Sequence, residues 1–133
     1  MIDVLLTLSE ARKRALIASS VAVPQPMKAR ALIDTGASCT CVDPAVIAHL
    51  ALSPTGVVPM LTPSTGLTPV MCNQYDLQVQ LLHATLSLAI DAVPVTESQL
   101  QHAQGFEMLL GRDILARCVL VYHGDINLYT LSF

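Results

Sequence analysis

The sequence predicts an all-β domain with one or two short helices. Three observations carry that expectation. Proline and glycine punctuate the chain often, with 8 Pro and 6 Gly in 133 residues, and β-forming residues fill the intervals. Hydrophobic residues make up 53% and charged residues 13%, which suits a packed core and not a disordered chain. The stretch Asp76-Leu77-Gln78-Val79-Gln80-Leu81 alternates with period two, the mark of a half-buried strand. A length of 133 residues suits one domain over 1–133.

In chain order, residues 2–8 form a first strand. Arg12-Lys13-Arg14 reads as a solvated turn, and residues 16–23 as the returning strand. Pro24-Gln25-Pro26 makes a loop, and residues 28–34 lead into a tight turn. Asp43 can cap free N–H groups ahead of Pro44, so a short helix is expected over 44–50. Residues 57–71 read as two β-like arms around a Ser64-Thr65-Gly66 tip. Their prolines at 59, 63 and 69 exclude a central strand and suit an edge or free-standing hairpin. Residues 75–82 and 83–95 make a strand pair. Residues 97–104 are a loop or one helical turn. A short strand at 109–111 precedes a helix over 113–118. Strands at 119–122 and 127–133 then close the chain around a His123-Gly124-Asp125 turn.

No apolar run approaches the roughly 18 residues that span a bilayer, so no membrane span is expected. The excess apolar surface suits burial between subunits instead. An acid at Asp3 and the early charges Glu10, Arg12, Lys13 and Arg14 argue against a secretory signal, and a cytoplasmic location with reduced thiols is expected. Cys39, Cys41, Cys72 and Cys118 have no framework spacing. Neither they nor His49, His83, His102 and His123 show metal-ligand spacing, so no metal and no cofactor is expected. The histidines read as surface or satisfied residues. A net charge of −3 gives no case for nucleic acid.

The chemistry centres on Ala31-Leu32-Ile33-Asp34-Thr35-Gly36-Ala37-Ser38. An apolar run delivers one carboxylate onto a Thr-Gly turn, where neighbours can set its acidity. Hydrolysis by carboxylates needs two of them, one ionised and one protonated. Asp43, Asp76, Asp91, Asp113 and Asp125 lack the turn context. A chain this short cannot hold two such lobes. The expectation is a homodimer with Asp34 of each copy meeting on a twofold axis.

Downstream lies Met108-Leu109-Leu110-Gly111-Arg112-Asp113-Ile114-Leu115. These two blocks, in this order, resemble the retropepsin family of aspartic proteases, which carry an A-L-L-D-T-G-A block and a later I-I-G-R-[ND]-L-L block. The resemblance covers about residues 30–133 and extends to Leu128-Tyr129-Thr130-Leu131-Ser132-Phe133, which looks like the family's terminal strand. It implies a closed acid-protease barrel and an aspartic endopeptidase acting on extended, hydrophobic peptides. Asp34 would be catalytic, with Thr35, Gly36 and Ala37 supporting the turn. Ser38, Thr65, Gly66, Leu67 and Leu110 would contact substrate, with Gly66 at the tip of a covering flap. Leu109, Gly111 and Arg112 would be structural. Residues 127–133 would interleave with the first strand in a dimer sheet. Where many retroviral members carry an acid two places after the Ala of D-T-G-A, this chain has Cys39 following Ser38. Arg112 must then pair with Asp113, Asp43 or backbone carbonyls.

A second reading is a catalytically silent module of the same fold that dimerises or binds peptides. A third is a metal or thiol protein using the Cys and His residues. Oxidation of Cys39, beside the turn, would be a route to regulation.

Overall fold

A computed structural model describes residues 1–62, 65–100 and 104–133. Nine strands and three helices follow in the order β1 (Ile2–Leu8), α1 (Glu10–Ala18), β2 (Met27–Ile33), β3 (Cys41–Val42), α2 (Pro44–His49), β4 (Gly56–Met60), β5 (Val70–Leu82), β6 (Ser87–Glu97), β7 (Met108–Leu110), α3 (Arg112–Leu115), β8 (Val119–His123) and β9 (Leu128–Ser132). Pro63, Ser64 and His102 of the expected features lie outside the described residues.

The main sheet runs β1-β2-β7-β3-β6-β5, and β5 pairs back onto β1, so six strands close into a barrel. This is the all-β closed barrel expected from the sequence. Closure leaves these strands without an open edge. β4 adds outside the ring, against the first part of β5 in the register Gly56↔Gln74 to Met60↔Val70. Pro59 therefore sits on an edge strand, where its missing N–H costs no ladder bond.

Alternation fills the barrel. Val4, Leu6 and Leu8 of β1 and Leu77, Val79 and Leu81 of β5 are buried. They meet Ala29 and Ala31 of β2, Met108 and Leu110 of β7, and Val93 and Val95 of β6. Val46 and Leu50 from the α2 segment and Ile114 from α3 join the same core. Each fully buried Leu or Val contributes about 1.5–3 kcal/mol.

The first loop departs from expectation. Residues 10–18 are helical, so Arg12-Lys13-Arg14 lie within α1 and residues 16–23 do not form a strand. The Ser9 side chain accepts the Arg12 N–H at 3.4 Å, and the Asp91 carboxylate accepts the Glu10 N–H at 3.0 Å. Glu10 and Lys13 form an ion pair at 2.8 Å, which holds the Glu10 carboxyl below its ordinary range. The run Glu-Ala-Arg-Lys-Arg-Ala-Leu is rich in good helix formers, and that local preference wins over the apolar tail. Leu16 and Val23 pack on the core, while Ile17 stays exposed. Among the described residues there are thus three helices, not one or two, and α1 is the longest. The helix expected over 113–118 is only the four-residue α3.

α2 starts as expected. The Asp43 carboxylate accepts the Ala45 N–H at 3.0 Å and reaches across to the Leu100 N–H at 3.2 Å.

β8 and β9 form a separate two-stranded ribbon. Within one chain, residues 127–133 do not share a sheet with the first strand: β1 pairs with β2 over Ile2–Leu6 and with β5 over Val4–Leu8. The two ends meet through one bond, from the Tyr129 hydroxyl to the Met1 carbonyl at 2.6 Å. Among the described residues, no helix is long and apolar enough to cross a membrane.

Candidate active site

The turn at Asp34 grows out of a parallel pair. β2 and β7 run side by side with Ala31↔Met108, Leu32↔Leu109 and Ile33↔Leu110 in register. One step beyond, the Asp34 N–H donates to the Leu110 carbonyl at 3.1 Å. The chain then reverses, and the Asp34 Oδ1 accepts the N–H of Gly36 at 2.9 Å and of Ala37 at 3.2 Å. Oδ2 has no hydrogen bond within the described residues, and the side chain is half-exposed. One carboxylate oxygen is thus fixed to the backbone while the other is not.

Gly36 fits because a Cβ there would lie 3.2 Å from the Asp34 Oδ1, tighter than most real contacts. Thr35 is exposed, and its hydroxyl has no partner among the described residues. It lines a cavity of about 560 Å³ with Leu32, Ile33, Leu120, Tyr122 and Tyr129. Ala37 is half-buried and Ser38 exposed.

The downstream end of the turn is clamped to the second block. The Arg112 N–H donates to the Ala37 carbonyl at 3.0 Å. At Gly111 the backbones nearly touch, since a Cβ would lie 2.5 Å from the Cys39 carbonyl carbon and oxygen. Only glycine allows that approach. The Gly111 N–H donates to the Thr40 Oγ1 at 3.1 Å. Thr40, fully buried, gives its own N–H and hydroxyl to the two carboxylate oxygens of Asp113 at 2.9 and 2.7 Å. The Thr96 N–H closes the set on the Thr40 carbonyl at 3.1 Å.

Asp34, Thr35, Gly36, Ala37, Leu110, Gly111 and Arg112 are therefore drawn together, with Leu109 beside them in β7. Two expected roles change. The Leu110 side chain is fully buried in the core, so it does not line a substrate cleft and serves the turn through its carbonyl. Arg112 is exposed and forms no ion pair among the described residues, because Asp113 is engaged by Thr40 and Asp43 by the α2 cap. Its backbone N–H supplies the contact.

Thr65, Gly66 and Leu67 lie at the end of the β4–β5 hairpin. Thr65 exchanges bonds with Thr62, its N–H and hydroxyl both donating to the Thr62 carbonyl at 3.0 Å. Gly66 has a φ of +60°, which favours glycine, and Leu67 is 97% exposed. No hydrogen bond among the described residues joins this tip to the Asp34 turn.

The four cysteines are free. Burial pushes the Cys41 thiol up to about 11, opposed in part by its contact with the Thr96 hydroxyl at 3.2 Å. The described residues contain no group of three metal-ligating side chains.

Reading the sequence missed Thr40 and took Asp113 only as a partner for Arg112. A threonine six places after Asp34 carries no recognisable pattern. The nearest signal is an acid two places after the glycine of the second block.

No family model matches the chain, and no curated protein matches it. Among solved structures, the chain is similar to the retroviral protease-like domain of Ddi1 from Leishmania major. That similarity has 16% identity and a TM-score of 0.47, over 98% of this chain and 87% of the other.

Proposed function

We propose that the protein is a homodimeric aspartic endopeptidase, with residues 1–133 as one protease domain per subunit. The observation that carries this reading is the asymmetric carboxylate of Asp34. Its Oδ1 is held by two backbone N–H groups, and its Oδ2 has no partner among the described residues at a half-exposed position. The turn fixes the direction of the carboxyl through Oδ1 and leaves Oδ2 available to accept a proton, which suits a general base.

One chain supplies one such carboxyl, so the reaction needs two copies. Held close, the two carboxyls share a proton, because both cannot be charged at once. The ionised Asp34 takes a proton from water as the water oxygen attacks the peptide carbonyl carbon. The protonated Asp34 of the partner subunit gives its proton to the carbonyl oxygen. On collapse of the tetrahedral species, Asp34 passes the proton it took from water to the amine nitrogen as the C–N bond breaks, and the ionised Asp34 of the partner subunit takes back the hydroxyl proton as the C=O re-forms, which restores the shared proton. The β4–β5 hairpin is the flap that excludes water over this step. Its exposed Leu61, Leu67, Val70 and Met71 support a preference for extended peptides with apolar side chains.

The test is cleavage of a peptide library by wild type beside Asp34→Asn. A loss of at least about a thousandfold in kcat is expected for the variant, since removing an activated catalytic group costs on that order. Cleavage by the wild type should also fall as pH rises past the loss of the shared proton. Retained activity in Asp34→Asn would sink the mechanism, and absence of cleavage by an intact wild-type dimer would favour a silent binding module.

A further inference from the structure

We infer that Thr40 and Asp113 are positioning residues for the Asp34 carboxyl, an inference that rests on the aspartic-peptidase reading. The Asp34 Oδ1 takes its place from the backbone N–H groups of Gly36 and Ala37. Where those groups sit depends on how residues 35–40 are tied down. The start of the turn is tied to Leu110 by the Asp34 N–H, and Ala37 is tied to Arg112. Beyond Ala37, the next anchor is Thr40.

Thr40 is an unusual anchor. All of its polar atoms are used, by Asp113 twice, by Gly111 and by Thr96. The hydroxyl both donates to Asp113 at 2.7 Å and accepts from Gly111 at 3.1 Å, so it bridges the two arms of the α3 corner. Asp113 also accepts its own neighbour's N–H, from Ile114, at 2.9 Å. Donors converge on both carboxylate oxygens, and hydrogen bonds to an ionised acceptor are shorter and stronger than neutral ones. The Gly111 that meets Thr40 directly follows the Leu110 whose carbonyl holds Asp34. The latch therefore spans from the base of the turn to its far end.

A loosened latch lets the Gly36 and Ala37 amides drift, and the two carboxyls of the dimer separate. Small displacements of reacting groups cost rate more than binding. Weaker contact between the carboxyls also brings their two apparent titrations closer together.

The experiment compares Thr40→Val, which removes the hydroxyl, with Thr40→Ser, which keeps it, and with Asp113→Ala, which removes both acceptor oxygens. Folded, dimeric Thr40→Val should lose about a hundredfold in kcat with KM within about twofold. The two limbs of its pH profile should move toward each other, and Thr40→Ser should recover most of the rate. Wild-type kcat and unshifted limbs in Thr40→Val would overturn the inference. If Thr40→Val does not fold, Asp113→Ala is judged by the same measurements. Hydrogen exchange separates the two readings. The Gly36 and Ala37 amides should exchange about tenfold faster without the latch, whatever the catalytic outcome for Asp34→Asn. Unchanged exchange would overturn the positioning role even if Asp34 is catalytic.

Discussion

The barrel and the β8–β9 ribbon are built from similar β-forming residues, yet they meet opposite fates. β5 alternates half-buried and buried side chains along most of its length, and every inward residue from Tyr75 to Leu81 reaches the core. In the ribbon no residue is fully buried, and Val119, Val121, Tyr122, Ile126 and Leu128 are each at least 44% exposed. The barrel strands find partners on both sides within the chain. The ribbon strands pair only with each other. A two-stranded ribbon is marginal by itself in water. The difference teaches where this molecule is self-sufficient and where it is not. Part of its apolar surplus sits on the ribbon, whose strands have free edges, and part on the β4–β5 hairpin.

The largest effect is expected inside the barrel. Leu6→Ala empties a fully buried position between Met27 and Val79 and should cost about 2–5 kcal/mol in urea unfolding. A smaller cost would mean that the barrel can collapse onto the gap, which would blur the contrast with the ribbon. On the ribbon, Val121 and Leu128 share an outward face, opposite Thr130 and His123. Replacing both by Ser should change the unfolding of an isolated subunit by no more than roughly 0.5 kcal/mol per site. Sedimentation should nevertheless show a weaker dimer, and activity should become dependent on protein concentration. A variant that unfolds as readily as Leu6→Ala would make the ribbon part of the core and break the comparison.

The smallest effect concerns the thiols. A Cys41 thiol raised to about 11 is only roughly one part in a thousand thiolate at pH 8, so alkylation should be slow. Cys72 lies on the protruding part of β5, half-exposed, and should react faster. Because the shift is upward, Cys41 should gain reactivity only as pH climbs toward its raised value. Mass spectrometry after timed iodoacetamide treatment reads both sites, and equal rates would show that β3 opens easily.

What was legible in the sequence was mainly what is local. Leu32 and Ile33 ahead of Asp34, and Leu109 and Leu110 ahead of Gly111, announce themselves as apolar runs stopped by turn residues. The Asp43 cap needs only its neighbour Pro44. The prolines of the β4–β5 hairpin declare an edge. The misreading of α1 has a local cause too, since residues 16–23 are apolar enough to mimic a strand once Arg12-Lys13-Arg14 is taken for a turn. The Thr40 latch was invisible for another reason. Its two residues are 73 positions apart and neither is unusual in its own neighbourhood. The inward turn of Leu110 was hidden similarly, because in a three-residue strand the alternation is too short to choose a face. The pairing of β1 on both sides follows from closure of the ring, which no single strand reveals.

The wide chain separation of the latch has a consequence in time. During synthesis, Asp34 leaves the ribosome long before Leu110, Gly111 and Asp113 exist. Until they arrive there is no carbonyl for the Asp34 N–H, no amide for Ala37 and no carboxylate for Thr40. Topologies dominated by such distant pairings close slowly, on the order of milliseconds to seconds. A growing chain therefore carries Asp34 without the bonds to residues 110–113 that organise its turn. Arrival of the second block therefore sets the earliest moment at which the bonds that shape the turn can exist.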